Sequence, residues 1–501
     1  MKLNSSELYL LFRYTEEISE DYNNNSKREK TFQTLFFLYF MIYFFIGILP
    51  VNIDNLLVTL PQTTKMGIGI IIISSLFTGV ISVLIFGYVG DKLSHKTSRK
   101  KLFVVTNLLW VIGYGLFSLS FNFQSLLILT IISAIGTGAF LPIGFSFISD
   151  LFPPDKRGSK FGIMQFGMIL GNGTGIIFGA VLGNLLNGSG WRLAYGISFF
   201  LGIVAVLRYT MLGQEIIRTD TEPKLLDSKA KIDYNYKITF SSILQLFRIK
   251  SIMAIFLSVL CSGIALSTLG NWAIFYLSLK ITSSNAESLA TAIYLLVGLG
   301  ALPGTIMGGK MGDYALRHGK IRGRIIISIF GLISGISLMI MFYLFPFFSY
   351  PSILIVNSWI IFIVLGFVGY CFSYFSIGNQ FAIYSELCMP ELRSTANAFN
   401  GLMLNIGGIM GNLIISSLIQ NNLSLLPFAV LSVLIIWLFG SFLWFIACSQ
   451  YHKDVLNREK LLLRRREKLN RQAKFHKFRE IHGIEKRWYG NHISVKDIIQ
   501  F

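Results

Sequence analysis

Charged residues are scarce in this sequence. Only 14% of its 501 residues are Asp, Glu, Lys or Arg, whereas 53% are hydrophobic, and the mean hydropathy is +0.61. A soluble protein of this length needs more charge to keep its surface in water. The composition therefore predicts a membrane protein.

Cysteines and catalytic motifs are equally sparse. The four cysteines are scattered and form no CxxC pattern, which argues against a disulfide framework or a zinc site. The chain has no GxxxxGK[ST] phosphate loop, so ATP is not expected to drive its activity directly. HExxH and GxSxG are also absent. We therefore expect no enzymatic activity, no cofactor and no metal site.

Long apolar runs fill most of the chain. A helix needs about 20 apolar residues to cross the roughly 30 Å hydrocarbon layer of a membrane, and twelve stretches reach that length. They are residues 32–60, 66–89, 102–121, 124–149, 161–186, 191–212, 251–279, 286–310, 324–347, 351–384, 395–420 and 424–449. We call them spans 1 to 12.

Basic residues fall almost entirely on one side of these spans. Of the 44 Lys and Arg, only Lys65, Arg192 and Lys280 lie in loops on the other side, and Arg208 lies at the end of a span. Cytosolic loops of membrane proteins are enriched in Lys and Arg. The pattern predicts that both termini are cytosolic, and it explains the net charge of +19 without a nucleic-acid partner.

Two halves of the sequence carry the same short motifs. GYVGDKLSHKTSRKK (87–101) follows span 2, and GGKMGDYALRHGKIRGR (308–324) follows span 8; SDLFPPDKRGS (149–159) and SELCMPELRST (385–395) follow spans 4 and 10. Motifs that recur in the same order indicate a parallel internal repeat. The predicted organisation is a cytosolic tail (1–31), a six-helix half (32–212), a cytosolic linker (213–250), a second six-helix half (251–449) and a basic tail (450–501).

The repeated GxxGD loop resembles that of the major facilitator superfamily of transporters. FGYVGDKLSHK, SDLFPPDKRGSKFGIMQFGMILGNGTG, GNWAIFYLSL and RSTANAFN are similar to segments of its Spinster branch. The resemblance implies an all-α membrane protein with twelve transmembrane helices in two six-helix bundles. It also implies transport of organic solutes, with a lysolipid-like substrate among the options. The branch usually has an Arg and a Glu where this chain has Thr130 and Thr137, which favours uniport over proton coupling.

In this family, the acid of the GxxGD loop holds the two halves together on the cytosolic side while the cavity faces outward. Asp91 can pair with an Arg or lie at a helix N-terminus, where about half a positive charge collects. The alternative is that these loop charges serve only to orient the chain. The gating residues expected from both halves are Gly87, Gly90, Asp91, Arg99, Lys100, Asp150, Arg157, Gly312, Asp313, Glu386 and Arg393.

Glycines recur at every fourth position in span 5, from Gly167 to Gly183, and again in span 8. Small residues let membrane helices approach closely. A four-residue step drifts about 40° around a straight helix, so five glycines are not expected to share one contact. We predict that Gly171, Gly175, Gly304 and Gly308 form the interface between the halves. Close packing within one half is the alternative.

Polar residues inside the spans are few enough to name as substrate-binding candidates. Ligand pockets are mostly apolar with a few placed polar groups, and an intramembrane acid is a functional candidate. Asp54 is such an acid, although it can equally be a loop residue. Each polar group can instead serve an interhelical hydrogen bond. The candidates are Asp54, Asn172, Thr174, Asn271, Trp272, Tyr276, Asn379, Gln380 and Asn405.

These observations predict a monomeric secondary active or facilitative transporter that moves a small organic solute by alternating access and contacts membrane lipid. Because no pair of basic residues lies inside the spans, an amphipathic or neutral solute is favoured. A coupling proton remains open. The alternatives are a proton-coupled exporter of drugs or sugars, and a receptor or scaffold on the same fold. The basic tail is interpreted as either a helix on anionic lipid or a solvated topology anchor.

Overall fold

The computed structural model describes residues 25–60, 63–92, 99–183, 185–214, 236, 239–281, 286–344, 358–419 and 423–481. Within these ranges every regular element is helical and no strand is present. Twelve helices are long and apolar enough to cross a membrane. The predicted all-α membrane fold with twelve transmembrane helices is confirmed.

The spans begin and end close to the residues expected from the apolar runs. Their bounds are span 1 (Ser26–Asn52), span 2 (Ile70–Lys92), span 3 (Arg99–Leu119), span 4 (Phe123–Leu151), span 5 (Pro154–Gly183), span 6 (Gly190–Leu212), span 7 (Lys250–Ser278), span 8 (Leu289–Arg317), span 9 (Gly323–Leu344), span 10 (Ile360–Leu387), span 11 (Pro390–Leu418) and span 12 (Leu426–Arg471). Odd-numbered spans begin, and even-numbered spans end, at one face of the bundle. We call it the basic face.

Two spans are interrupted where the sequence disfavours a regular helix. Span 4 contains a π-helical turn, Phe140–Gly144, centred on Pro142, which has no amide hydrogen to donate and so opens the helical hydrogen-bond ladder. Span 8 is divided between the helices Ala286–Gly298 and Ala301–Arg317. Gly298 and Gly300 flank the break. Glycine loses more conformational entropy in a helix than any other residue, so these two positions favour an interruption.

The glycine ladder of span 5 packs against span 1, in the same half. A Cβ atom at Gly171 would overlap the backbone of Phe40, and one at Gly175 would overlap the backbone of Phe44. The partners on span 1 also advance by four residues, so all five glycines share one helix. A repeat longer than 3.6 residues is kept in contact by right-handed wrapping of the helices, which removes the drift expected of a straight helix.

The ladder of span 8 likewise packs within its own half, against span 10. Cβ atoms at Gly304 and Gly308 would overlap the backbones of Cys371 and Phe375. The prediction that Gly171, Gly175, Gly304 and Gly308 form the interface between the halves is therefore wrong. Within lipid, close backbone packing stabilises a helix pair, and here it holds each half together.

We expect Gly175→Ala to lower the thermal unfolding midpoint of the purified protein, because the added methyl overlaps the Phe44 backbone. Overpacking of this kind costs about 1–3 kcal/mol. Gly173→Ala, two residues away, is the matched control, since its methyl would meet no atom within 4 Å. Equal midpoints for the two variants would contradict this packing.

Span 12 continues beyond the membrane as one helix, Leu426–Ile481, of 56 residues. Tyr451, Val455 and Leu462 are buried along this extension. Asp454 accepts hydrogen bonds from the Ser251 backbone amide (3.0 Å) and hydroxyl (2.7 Å) at the start of span 7. The first part of the basic tail is thus packed against the second half and is not a separate helix on lipid. Residues 482–501 lie outside the described residues.

Candidate functional site

The two halves meet at the basic face. The start of span 5 contacts the end of span 8, and a Cβ atom at Gly158 or Gly162 would lie against the backbone of Gly309 or Thr305, respectively. Farther from this face, span 5 turns toward span 1 and span 11 turns toward span 7. Toward the opposite face, these two spans thus pack against helices of their own halves.

Asp91 lies in the last turn of span 2 and crosses to the other half. Its buried carboxylate accepts hydrogen bonds from the backbone amide (2.9 Å) and hydroxyl (2.8 Å) of Thr395. Thr395 lies in the first turn of the α-helix Arg393–Ile419, which forms most of span 11. The first amides of a helix have no partner within that helix, and they carry partial positive charge. Asp91 thus caps a helix of the opposite half.

Asp313 makes the symmetry-related contact in the reverse direction. It lies near the end of span 8 and accepts hydrogen bonds from the backbone amides of Gly158 (2.9 Å) and Ser159 (2.7 Å), and from the Ser159 hydroxyl, at the start of span 5. Both acids of the repeated motif therefore cap the N-terminus of a helix in the opposite half. A charged acceptor strengthens such bonds.

Asp150 joins the halves through a buried ion network. One oxygen pairs with Arg99 (2.8 Å) in the first half, and the other pairs with Arg393 (2.8 Å) at the start of span 11. All three side chains are at most 4% exposed. Removing one member of a buried ion pair leaves an uncompensated charge, so these three residues depend on one another.

Arg324 occupies the comparable place in the second half, although it was not among the expected gating residues. Its guanidinium, fully buried, pairs with Asp313 (2.7 Å) and Glu386 (2.9 Å). It also donates a hydrogen bond to the carbonyl of Pro154, in the first half. Arg324 follows Asp313 at a longer spacing than that of Arg99 after Asp91, so the repeated motif alone did not mark Arg324 as the counterpart of Arg99.

Residues related by the repeat touch each other at the centre of this contact. The hydroxyls of Ser149 and Ser385 are 2.6 Å apart, and the two residues are separated by 236 positions. The rings of Phe145 and Phe381, separated by the same offset, have centroids 4.6 Å apart. Contacts between symmetry mates lie on a two-fold axis, so the pseudo-two-fold axis of the repeat passes through both pairs.

A layer of aromatic side chains lies one helical turn from the Ser149–Ser385 contact. Phe145, Phe161 and Phe381 are buried, and the centroids of Phe161 and Phe381 are 5.6 Å apart. We call these three residues the aromatic layer. Sequence reasoning missed it because Phe is abundant in every span, but the 236-residue offset shared with Asp150 and Glu386 was a usable signal.

Some expected gating residues serve only their own half. Lys100 donates hydrogen bonds to the carbonyls of Thr210 (2.8 Å) and Gly213 (2.6 Å), at the end of span 6, where a cation stabilises the helix dipole. Gly312 packs against the side chain of Asn379. For these two residues a contact across the halves was the wrong expectation.

The remaining expected gating residues lie close to the contact. A Cβ atom at Gly87 would overlap that of Ala398 in span 11, and Gly90 lies near Ser394. Arg157 donates its Nε hydrogen to the Phe152 carbonyl (3.0 Å) within the first half. Gly87 and Gly90 therefore let span 2 approach span 11.

Three of the expected substrate-binding residues are not available to a ligand in this arrangement. Tyr276 donates to the Tyr343 carbonyl (2.8 Å), Asn379 donates to the Gly308 carbonyl (2.9 Å), and Gln380 donates to Asn400. All three are buried. The expectation that they bind substrate is corrected for this arrangement, because each satisfies a polar group between helices of the second half.

Other expected substrate-binding residues remain accessible. Asn172 in span 5 and Asn405 in span 11 are partly exposed, and within the described part of the chain neither side chain has a hydrogen-bond partner. Asn271 is exposed and donates to Asn412 (3.0 Å), beside the partly exposed Trp272. These groups can offer hydrogen bonds to a solute.

The other two expected residues add less. Thr174 donates its hydroxyl to the Leu170 carbonyl (2.8 Å) of its own helix. Asp54 lies in the short helix Ile53–Thr59, and its side chain lies outside the described part.

At the opposite face, burial lowers the pKa of the Lys280 ammonium, which lies over the Tyr276 ring, to about 8. Among the described residues, no group of three His, Cys, Asp or Glu could hold a metal ion.

Comparison with known proteins identifies the family. The Major Facilitator Superfamily model matches residues 35–412. YtbD of Bacillus subtilis (strain 168), an uncharacterized MFS-type transporter, is 27% identical over 271 residues, which are 54% of this chain and 60% of that protein. The chain thus spans less than two thirds of this relative's length.

Solved structures show the same fold. FucP, the E. coli fucose:proton symporter, matches in its outward conformation with a TM-score of 0.62 at 16% identity, over 83% of this chain and 98% of FucP. A bacterial homologue of the human lysosomal transporter Spinster, in an inward-facing conformation, matches with a TM-score of 0.52 at 15% identity, over 86% and 98%. The Spinster resemblance is supported at the level of the fold. The chain belongs to the Major Facilitator Superfamily, whose members are transporters and not enzymes.

Proposed function

We propose that this transporter moves a small organic solute, neutral or amphipathic, by alternating access. The observation that carries the proposal is the arrangement of contacts between the halves. They lie at the basic face and comprise two helix-capping carboxylates, a buried ion network and the aromatic layer. Breaking them while closing the opposite side would expose a substrate cavity between the halves to the other compartment.

The charge asymmetry supports a cytosolic basic face, which would make this state outward-facing. The comparison with solved structures supports the same assignment. The TM-score is higher against FucP in its outward conformation, 0.62, than against the inward-facing Spinster homologue, 0.52. In this assignment Asp91 and Asp313 hold the cytosolic gate closed.

The chemistry of the cavity favours a solute without strong charge. Among the described side chains of spans 1, 4, 5, 7, 10 and 11, the charged ones lie at the basic face. What remains toward the opposite face is apolar surface with the amides Asn172, Asn271 and Asn405 and the indole of Trp272. A mostly apolar pocket with a few polar groups binds neutral or amphipathic molecules.

The proposal has two forms, proton-coupled transport and uniport. FucP is a fucose:proton symporter, and in this chain Asp54 lies just past the end of span 1, toward the opposite face. Uniport is favoured by Thr130 and Thr137, which cannot carry a proton. Net solute uptake into liposomes with and without a pH gradient separates the two, since a proton-coupled carrier accumulates solute above the external concentration only with the gradient.

A reversible crosslink tests alternating access directly. The Ser149 and Ser385 hydroxyls are 2.6 Å apart, close enough for a disulfide between cysteines at these positions. In a background without the four native cysteines, we expect oxidised Ser149→Cys/Ser385→Cys protein to lose solute counterflow and to regain it with reductant. The solute would first be chosen by thermal-shift screening of lysolipids, sugars and amphipathic drugs.

Ser149→Cys alone is the matched control and should transport under both conditions. Undiminished counterflow through fully crosslinked double variant would contradict alternating access at this gate. A protein that shows no saturable movement of any solute that it binds would favour the receptor or scaffold alternative.

A further inference from the structure

A cavity of about 700 Å³ opens at the basic face, on the outer surface of the helices. The end of span 8, the start of span 9 and the start of span 5 surround it. Its lining includes Ser159, Lys310, Met311, Tyr314, Arg317 and Lys320. It lies beside the Asp313 contact and draws on both halves.

The charge in this cavity is mainly positive. Lys310 and Lys320 form no ion pair with any residue in the described ranges. Arg317 pairs at 3.3 Å with the partly exposed Asp155. The carboxylate of Asp313 is already occupied by Arg324 and by the amides at the start of span 5. The two lysines therefore leave the cavity with a net attraction for an anion.

The exposed face of span 8 changes from apolar to basic as it approaches this cavity. Met307 is 47% exposed, Met311 41% and Tyr314 63%, and Arg317 and His318 follow one turn later. Tyr side chains are enriched at the level of lipid headgroups, and basic side chains lie just beyond it. The cavity thus combines an apolar wall facing the bilayer with cations at headgroup depth.

We propose that this cavity binds an anionic phospholipid from the leaflet at the basic face. The headgroup phosphate lies between Lys310 and Lys320, and an acyl chain lies along Met307 and Met311. Basic pockets between transmembrane helices bind such headgroups. Because Ser159 comes from the first half, a bound lipid stabilises the closed gate. This effect on the gate rests on the proposed function, whereas binding itself does not.

Lipid binding to purified protein tests the proposal without any transport assay. Native mass spectrometry would compare phosphatidylglycerol with phosphatidylcholine, which has no net charge. We expect phosphatidylglycerol to bind more tightly than phosphatidylcholine. Lys310→Gln/Lys320→Gln should reduce its affinity by about thirtyfold, because each lysine near an anionic headgroup contributes a factor of about five. Both lysines are exposed, so the variant should fold normally.

Arg322→Gln/Lys460→Gln is the matched control, because it removes the same charge from exposed positions outside the cavity. It should bind phosphatidylglycerol as the native chain does. The proposed site would be wrong if both double variants lost the same affinity for phosphatidylglycerol, or if the native chain bound the two lipids equally. Glycerol 3-phosphate tests whether a soluble phosphate ester is enough for binding. If it displaces phosphatidylglycerol fully at equal concentration, the ligand is a free phosphate ester and not a lipid.

Discussion

Arg324→Leu is expected to lower the thermal unfolding midpoint in detergent strongly and to abolish solute transport. Arg324 is fully buried and neutralises both Asp313 and Glu386. Removing one partner from a buried ion pair costs about 3–5 kcal/mol, and in this variant two carboxylates lose the same cation. The loss of stability should therefore lie at or above the upper end of that range.

Two further variants show whether unpaired charge causes the loss of stability in Arg324→Leu. Arg317→Leu removes an Arg seven residues earlier that makes an exposed pair with Asp155, and exposed pairs contribute about 0–1 kcal/mol. Arg324→Leu/Glu386→Gln should recover part of the lost stability, because one of the stranded carboxylates becomes neutral. If Arg317→Leu and Arg324→Leu unfold at the same temperature, the buried network is not what stabilises this region.

Asp91→Ala is expected to open the basic face without unfolding either half. The carboxylate accepts two hydrogen bonds from Thr395 across the halves, and an N-terminal cap contributes about 0.5–2 kcal/mol. If removing the cap costs free energy near the upper end of that range, the ratio of closed to open states falls by about thirtyfold. Spin labels at Lys30 and Arg322, exposed residues of the two halves, should report a longer distance.

Asp91→Asn should have a milder effect, because its amide oxygen can still accept a bond from a helix N-terminus. We expect slower initial transport while the protein remains in the membrane. Asp155→Ala is the matched control: it also removes a carboxylate that reaches the other half, but that carboxylate is partly exposed. Unchanged label distances and unchanged initial rates for Asp91→Ala would contradict a gating role.

The number and type of helices were predictable, because each membrane helix is determined by its own stretch of sequence. A run of about 20 apolar residues has few alternatives to a membrane helix, so all twelve spans were found without tertiary information. The extent of the last helix was not predictable, because its extension at the basic face is polar on average. The buried Tyr451 and the contact of Asp454 with Ser251 hold that extension in place, and both are long-range.

Helix partners were less predictable than helices. Gly171 and Gly175 correctly indicate close approach, but the spacing is the same whether the neighbour is span 1 or span 8. The glycines of span 5 that do touch the other half, Gly158 and Gly162, lie before Gly167, the first glycine of the ladder. They were overlooked because the regular ladder begins after them.

Polar residues inside spans posed the same difficulty. Asn379 and Asn172 look alike in sequence, since each is an amide within an apolar run. In the structure one donates to the Gly308 carbonyl, whereas the other is partly exposed. Which of them lines the cavity depends on how each helix is rotated, and that rotation is determined by packing.

The self-contacts of Ser149 with Ser385 and of Phe145 with Phe381 have an evolutionary consequence. A residue that binds its own symmetry mate needs no complementary partner sequence. A single six-helix ancestor could therefore have paired with a second copy of itself through this layer before any duplication. Gene fusion would then have inherited a working interface, and specialisation of the two halves could follow elsewhere in the chain.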